Sequence, residues 1–534
     1  DAQEQALLAP FVTDMDESVF GLRNLPEVVK GALFSRYSRT DKSLRRILLD
    51  EFINAPESGF QDIVNTAADG HAHQIVATQQ AEAFYERVLV GYGDDSVAEL
   101  GGAHLACEGI SNIAAKALED SRIGLSPLEK STRYVVFNRK LDGRYRYVRD
   151  AAIMASSHAE GYERALDGLF DTYSALLEPV KESVRAANPK DAATSQRAYL
   201  SATRAKACDL LRGLLPMATM TNVGLFGNGR AFEYLLTKLY ASELDELREL
   251  AGHMQHALDA LIPSFVRRAK SERGQAFQAY LRQNRNRVAE LVAHQGLPAA
   301  EPAAAVTLVD FDQDAELRVL AAILYPYSDA TLEQVRAVVA AMPADERQAL
   351  LRAYIGERAN RFHRPGRALE EARYSFDLLA DLGAYRDLQR HRMVTQERQH
   401  YGVAHGFYTP PELEAAGMAA QYAAALEQAA EAYTRIVAEL PEQAQYVVPL
   451  AFRVRWRVTL NLRELYHLAE LRSAPQGHPT YRAIAQDMYT AVQQVHPRLV
   501  EGMRFVDMSA PGLERLDAER RLDEKMNRLG VTAR

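Results

Sequence analysis

Residues 389–401 read Gln-Arg-His-Arg-Met-Val-Thr-Gln-Glu-Arg-Gln-His-Tyr. Arg390, His391 and Arg392 follow the largely apolar run Phe376 to Leu388. Cationic side chains at the end of a buried element cost desolvation unless an anion meets them, and phosphate suits the arginine fork. A solvated basic helix end accounts for the same three residues. A second candidate is Ser121 to Tyr134, where Pro127 breaks any helix and predicts a loop. Its Ser131 and Arg133 offer a hydroxyl and a guanidinium to a phosphate, and a plain polar loop explains them equally. A third group is Arg463, His467 and Arg472. His467, four residues after Arg463, shares its helical face. Arg453, Arg455 and Arg457 are expected on the same helix, with Glu464 and Glu470 as ion-pair partners.

The chain that must position these groups has 534 residues, too many for one ordinary core. It is 47% hydrophobic and 25% charged, which allows a sizeable core in each domain. A net charge of −8 argues against general nucleic-acid binding but permits a local phosphate site. Cys107 and Cys208 stand alone in apolar surroundings, so neither zinc nor a disulfide is expected. No basic-then-apolar leader and no long uncharged apolar run is present, which predicts a soluble cytoplasmic protein that does not engage membranes.

Leu33 to Ser38 reads as a strand or turn, and a helix is expected from Lys42. Gly91 to Leu100 reads as a turn with Ser96 as N-cap and Glu99 closing a capping box, with the Ala-rich run to Leu118 continuing as helix or packed core. Ala151 to Ala269 has helical periodicity, with breaks at Leu215-Pro216 and Gly224–Arg230. The Ala/Pro stretch Gly296 to Ala305 is the best linker.

Beyond it the order of features restarts. Arg364–Glu371 parallels the stretch around Ser96 and Glu99. Residues 389–401 parallel 120–134, Pro449 parallels Pro216, and Asn461-Leu462-Arg463 parallels Asn228-Gly229-Arg230. The offset is roughly 270 at the first two landmarks and about 233 at the last two, so the first half carries an insertion of about 35 residues; units this long are domains. Residues 1–275 and 307–534 are the two expected domains, joined by 276–306.

With these landmarks in order, the chain resembles a tandem duplication of the flavin-dependent thymidylate synthases. That family's signature is Arg-His-Arg, seven residues, then Ser-x-Arg-Tyr, with an upstream Ser/Thr-x-x-Glu segment and a downstream Asn-x-Arg-x-Leu helix. The resemblance implies an α+β, helix-rich fold in two copies, each a mixed sheet flanked by long helices. It implies that Arg390, His391, Arg392, Asn461, Arg463, His467 and Ser96 contact FAD, with Arg390 and Arg392 also catalytic. Glu129, Ser131, Arg133, Tyr134 and Arg472 would hold a pyrimidine nucleotide. The implied reaction is reductive methylation of dUMP with methylenetetrahydrofolate and NADPH.

The copies have lost different parts. His400 stands where the second half should have the signature Ser, and the first half has Ser121-Arg122-Ile123 in place of the triplet. Complementary loss implies composite sites; decay of both copies, or retuning toward another substrate, fits the same pattern. Asp387 replaces the pyrimidine-contacting Gln, and Leu239 replaces the first half's phosphate arginine. A fused pair would assemble as a homodimer, a pseudo-tetramer of domains.

Overall fold

The computed structural model describes residues 2–54 and 95–530, so residues 91–94 of the expected capping turn lie outside the described residues. The chain divides into two compact units. The first takes residues 1–110, 114–129 and 221–298; the second takes 111–113, 130–220 and 299–534. Among the described residues no helix is long and apolar enough to cross a membrane.

In the first unit, strands β1 (Gly102–Ser111), β2 (Leu125–Glu129) and β3 (Met220–Asn228) form a sheet in the order β1-β3-β2. Of the Ala-rich run expected to continue as helix or packed core, Gly102–Ser111 is strand and Asn112–Glu119 is helix. Gly102 explains part of this: a Cβ there would stand 2.8 Å from the Gly227 carbonyl oxygen, an approach only glycine permits. Pro127 lies in β2 rather than in a loop, and it is tolerated because β2 is an edge strand. Leu33 to Tyr37 belong to the helix Glu27–Tyr37, whose buried Val28, Val29, Ala32 and Leu33 recur at helical spacing. Asp95–Glu99 form one 3-10 turn instead of opening a helix. Asn228 accepts a hydrogen bond from the Ala231 amide at 2.8 Å and so caps the helix Gly229–Tyr240. The helix Glu272–Ala293 is seated on this unit, with Gln278 donating to the Ala269 carbonyl at 2.6 Å. Residues 294–305 carry no helix or strand.

In the second unit, β4 (Val306–Phe311), β5 (Arg373–Asp381), β6 (Val394–Arg398) and β7 (Arg453–Asn461) form a sheet in the order β4-β5-β7-β6. Its pairings are antiparallel, as is that of β2 with β3, where a mixed sheet was expected. Arg453, Arg455 and Arg457 therefore stand on a strand and not on the helix that carries Arg463. Val454, Trp456, Val458 and Leu460 alternate with them into the core. Trp456 is buried and meets Tyr385 edge-on at 5.3 Å, a packing role. Asn461 caps the helix Leu462–Arg472 by accepting from the Glu464 amide at 2.9 Å, as Asn228 does in the first unit. That helix packs on the helix Pro479–Val495, which covers β4 and β5.

Among the further helices of this unit, Ala159–Ala187 packs both on the next helix, Gln196–Leu211, and on the sequence-distant Ala419–Val437. Helix Leu516–Leu529 lies along Gln196–Leu211, where Arg197 pairs with Glu519 at 2.9 Å and with Asp523.

Candidate functional site

The triplet sits just past the short helix Leu382–Leu388, where the chain turns from β5 toward β6. Arg390 and Arg392 are exposed, and only His391 is buried. The desolvation cost expected for all three falls on the histidine alone. Its Nδ1 donates to a Glu464 carboxylate oxygen at 2.7 Å, and its Nε2 accepts from Arg472 Nε at 2.9 Å. A guanidinium can only donate, so the imidazole is neutral with its proton on Nδ1. Burial, and then the charge of Arg472, drive its pKa well below the usual value. Both ring nitrogens are thus committed, and His391 acts by orienting Arg472.

His467 lies with its ring 5.4 Å from that of His391, and burial lowers its pKa to about 4 despite the neighbouring Glu464 carboxylate. His391, Glu464 and His467 place ligand-type atoms within 4.8 Å of one another. The grouping is not built for a metal, because a guanidinium donates to His391 Nε2 and Nδ1 is spent on Glu464.

Arg133 comes from the other candidate segment, yet it belongs to the same compact unit. Asp209 holds it in a bidentate pair, Nε to Oδ1 at 2.6 Å and Nη2 to Oδ2 at 2.5 Å. Its Nη1 also reaches the Gln476 carbonyl at 3.3 Å and Tyr481 Oη at 3.5 Å, both beyond the Leu462–Arg472 helix. The Ser131 hydroxyl accepts from the Arg133 amide at 3.3 Å, which shapes the turn.

Asp387 is the centre of charge. Burial favours its neutral form, but Arg212, Arg390, Arg472 and Arg133 outweigh that and hold the carboxyl well below the usual range. Arg212 Nη1 lies 3.4 Å from its Oδ2. Asp381 shares Arg212 at 3.9 Å, and there burial wins and raises the pKa. Residues from both candidate segments thus meet in one network whose arginines outnumber its aspartates, which is a setting for an anionic ligand.

Other expected site residues serve the fold. Asn461 caps its helix. Arg463 donates to the Pro365 carbonyl at 2.9 Å and pairs with Glu370 at 3.0 Å. Glu470 pairs with Arg358, and Glu464 with His391, rather than with the strand arginines. The helix Leu462–Arg472 spans about 16 Å, which separates Asn461 and Arg463 from Arg472 at its far end. Tyr134 is exposed, with the Arg515 guanidinium 4.0 Å over its ring.

In the first unit, Glu129 is buried against Lys116, which also pairs with Glu119, so it is engaged in an internal ion-pair group. Ser96 lies in the 3-10 turn. Glu99 pairs with Arg230 at 2.8 Å instead of closing a capping box, the counterpart of Glu370 with Arg463. A cavity of about 700 Å³ lies beside Asn228, Arg230, Tyr234 and Phe277.

Asp209, Arg212, Tyr481 and Arg515 escaped the sequence reading. The first two carried a signal: they are charges within the apolar run Cys208 to Leu215. Burial pushes the Cys107 thiol up to about 11 and raises Cys208 as well, so neither supplies a thiolate.

A family model described as thymidylate synthase complementing protein matches residues 53–264 and again residues 307–498. A UPF0159 protein of Chlamydia pneumoniae is 45% identical over 97% of this chain and 97% of its own length. A flavin-dependent thymidylate synthase of Sulfurisphaera tokodaii is 32% identical over 24% of this chain and 54% of its own. The solved structure of a UMP/dUMP methylase, PolB, from Streptomyces cacaoi covers 39% of this chain and 96% of its own, at 21% identity and a TM-score of 0.32.

Proposed function

The chain belongs to the thymidylate synthase complementing protein family, in two tandem copies, and on that footing we propose that it is a thymidylate synthase-like methyltransferase. The reaction proposed is reductive methylation of dUMP, or a related pyrimidine nucleotide, at C5. Methylenetetrahydrofolate gives the carbon and NADPH the reducing equivalents, in a composite site drawn from both copies. The observation that carries this reading is the network around Asp387, where Arg133 of the first copy and Arg390 and Arg472 of the second act on one carboxylate.

The donor set fits FAD in charge. Arg390 and Arg392 are exposed guanidiniums beside a network with arginines in excess, as a pyrophosphate requires. These two, with the half-buried His467, would hold the cofactor, which supplies hydride chemistry that no side chain here can perform. His391, Asn461 and Arg463 shape the site. Arg472, steered by the neutral His391, and Ser131 face the nucleotide phosphate. Asp387 stays ionised and can only accept hydrogen bonds, so it favours an N–H edge of the base.

Asp387 also supports a second reading, retuning toward another acceptor, because the family position it occupies carries an amide that both donates and accepts. The test is tritium release from C5-labelled dUMP in the presence of FAD, methylenetetrahydrofolate and NADPH. Release supports thymidylate chemistry; none, with flavin bound and reducible, removes it and leaves the retuned reading. Within the composite site, Arg392→Ala is expected to lose flavin absorbance, while Ser131→Ala weakens dUMP binding about tenfold and keeps the flavin. Equal flavin loss in both variants would contradict the division of roles.

A further inference from the structure

Arg515 lies past the second family match, which ends at residue 498. It is 7% exposed, and its Nε and Nη1 are shielded from water with no hydrogen-bond partner. A buried arginine normally has its donors satisfied, and each unsatisfied one opposes folding. The fold nevertheless fixes this side chain from both directions. Immediately before it, Glu514 pairs with the buried Lys206 at 2.6 Å. Further back, Arg482 donates to the Ser509 carbonyl at 2.8 Å, and the Asp507 amide donates to Ser473 Oγ at 3.0 Å. After it, Arg197 and Arg520 grip the helix Leu516–Leu529 through Glu519 and through Arg520 Nε donating to Thr194 Oγ1.

What surrounds the guanidinium decides what it waits for. Its Cζ lies over the Tyr134 ring, 4.0 Å from the ring centre. The charges acting on it are Arg133 and Asp209. Asp209 already gives both oxygens to Arg133, so it has no geometry left for a second fork. Two guanidiniums therefore share one carboxylate, and burial together with Arg133 pulls the Arg515 pKa below its usual value. An anion with several oxygens relieves both problems, the orphaned donors and the uncompensated charge.

We propose that Arg515 is a phosphate-binding residue of this site, taking a phosphomonoester beside the Ser131–Tyr134 turn. The assignment of that phosphate to the 5′ end of the nucleotide rests on the function proposed above; the anion site itself does not. Arg133 is committed to Asp209, so Arg515 supplies the donors that a motif-based reading gives to Arg133. The pyrophosphate of a flavin is the other source of the same chemistry.

The test compares the full-length protein with Arg515→Met and Arg515→Lys, binding dUMP, deoxyuridine, inorganic phosphate and FAD by calorimetry, with melting of each ligand-free protein. Arg515→Met should lose about 10- to 100-fold in dUMP affinity and leave deoxyuridine and FAD binding unchanged. Ligand-free Arg515→Met should melt no lower than wild type, because an unpaired buried charge has been removed. Arg515→Lys should recover part of the dUMP affinity. The proposal falls if dUMP affinity stays within about twofold of wild type, if FAD binding alone is lost, or if ligand-free Arg515→Met melts markedly lower. It also falls if wild type binds neither dUMP nor phosphate. Arg515-dependent phosphate binding without dUMP binding keeps the anion site and overturns the nucleotide reading instead.

Discussion

His391 and His478 are both buried and held neutral, the first by burial and Arg472, the second by burial together with Arg212 and Arg133. A histidine with a depressed folded pKa takes up no proton in the fold, while the unfolded chain takes one up near pH 6.5. Its contribution is complete above that pH and is lost as pH falls, at about 1.4 kcal/mol per pH unit per buried histidine. The partly exposed His467 follows the same sign until its folded pKa of about 4. Glu464 and Asp381, raised by burial, oppose the loss once they begin to protonate in the fold. We therefore expect the urea midpoint to drop between about pH 7 and about pH 5.5. His478→Asn, which keeps an acceptor for the Thr480 amide, should make the slope shallower; an unchanged slope would remove His478 from the account. At this scale sequence reading worked where chemistry is local. Arg390-His391-Arg392 is a contiguous triplet and could be seen in the sequence, although only His391 is buried. Arg515 was illegible because nothing near it in sequence marks it. Its burial is made by a strap and a helix returning onto residues more than three hundred positions earlier.

At the scale of elements, the second unit is held by buried ion pairs whose partners lie far apart in sequence. Lys206 on the helix Gln196–Leu211 is one: burial would lower its ammonium pKa, and Glu514 and Glu412 reverse that. Removing one partner of such a pair strands a buried charge, which costs more than the pair ever contributed. Glu514→Gln leaves Lys206 paired with Glu412 at 2.6 Å, so it should lower stability by only about 1–2 kcal/mol in urea titrations, and Glu514→Gln with Glu412→Gln, which strands the ammonium, by about 3 kcal/mol or more. Adding Lys206→Met to the double variant should recover part of this, since the stranded ammonium goes with it. Additive losses would mean that Lys206 and Glu514 act independently. Some elements were plain in the sequence, such as the long helices with their three-and-four spacing. Arg453 to Leu460 was also legible, because charged and apolar residues alternate with period two, the signature of a strand. It was misread as helix because its arginines were grouped with Arg463 and Arg472 by charge rather than by period. Pro127 was misread for a subtler reason. A proline excludes a helix and a central strand, but an edge strand needs no amide from it, and edge position is a property of the sheet.

At the scale of the whole molecule, duplication is written into register as well as sequence. Leu125 pairs with Gly227 in the first sheet and Val394 with Leu460 in the second. Both pairs carry the offsets of roughly 270 and about 233 that the motifs show, so the same strands meet in the same phase. Asn228 and Asn461 then cap equivalent helices, and Glu99–Arg230 and Glu370–Arg463 repeat one ion pair. The repeated scaffold was legible because caps and pairs recur at fixed spacing. The grouping of residues 130–220 with the second unit was not, since no local pattern reports which sheet a helix joins. Arg390 and Arg392 remain exposed on the single chain, and a flavin held there needs a further wall to exclude water. We expect that wall from a second copy of the chain, giving a homodimer with four related domains. Light scattering should return twice the mass of one chain, and dilution into the monomer range should reduce flavin occupancy in step with dimer content. A stable monomer that retains flavin and releases tritium at the full rate would show that one chain builds the whole site alone.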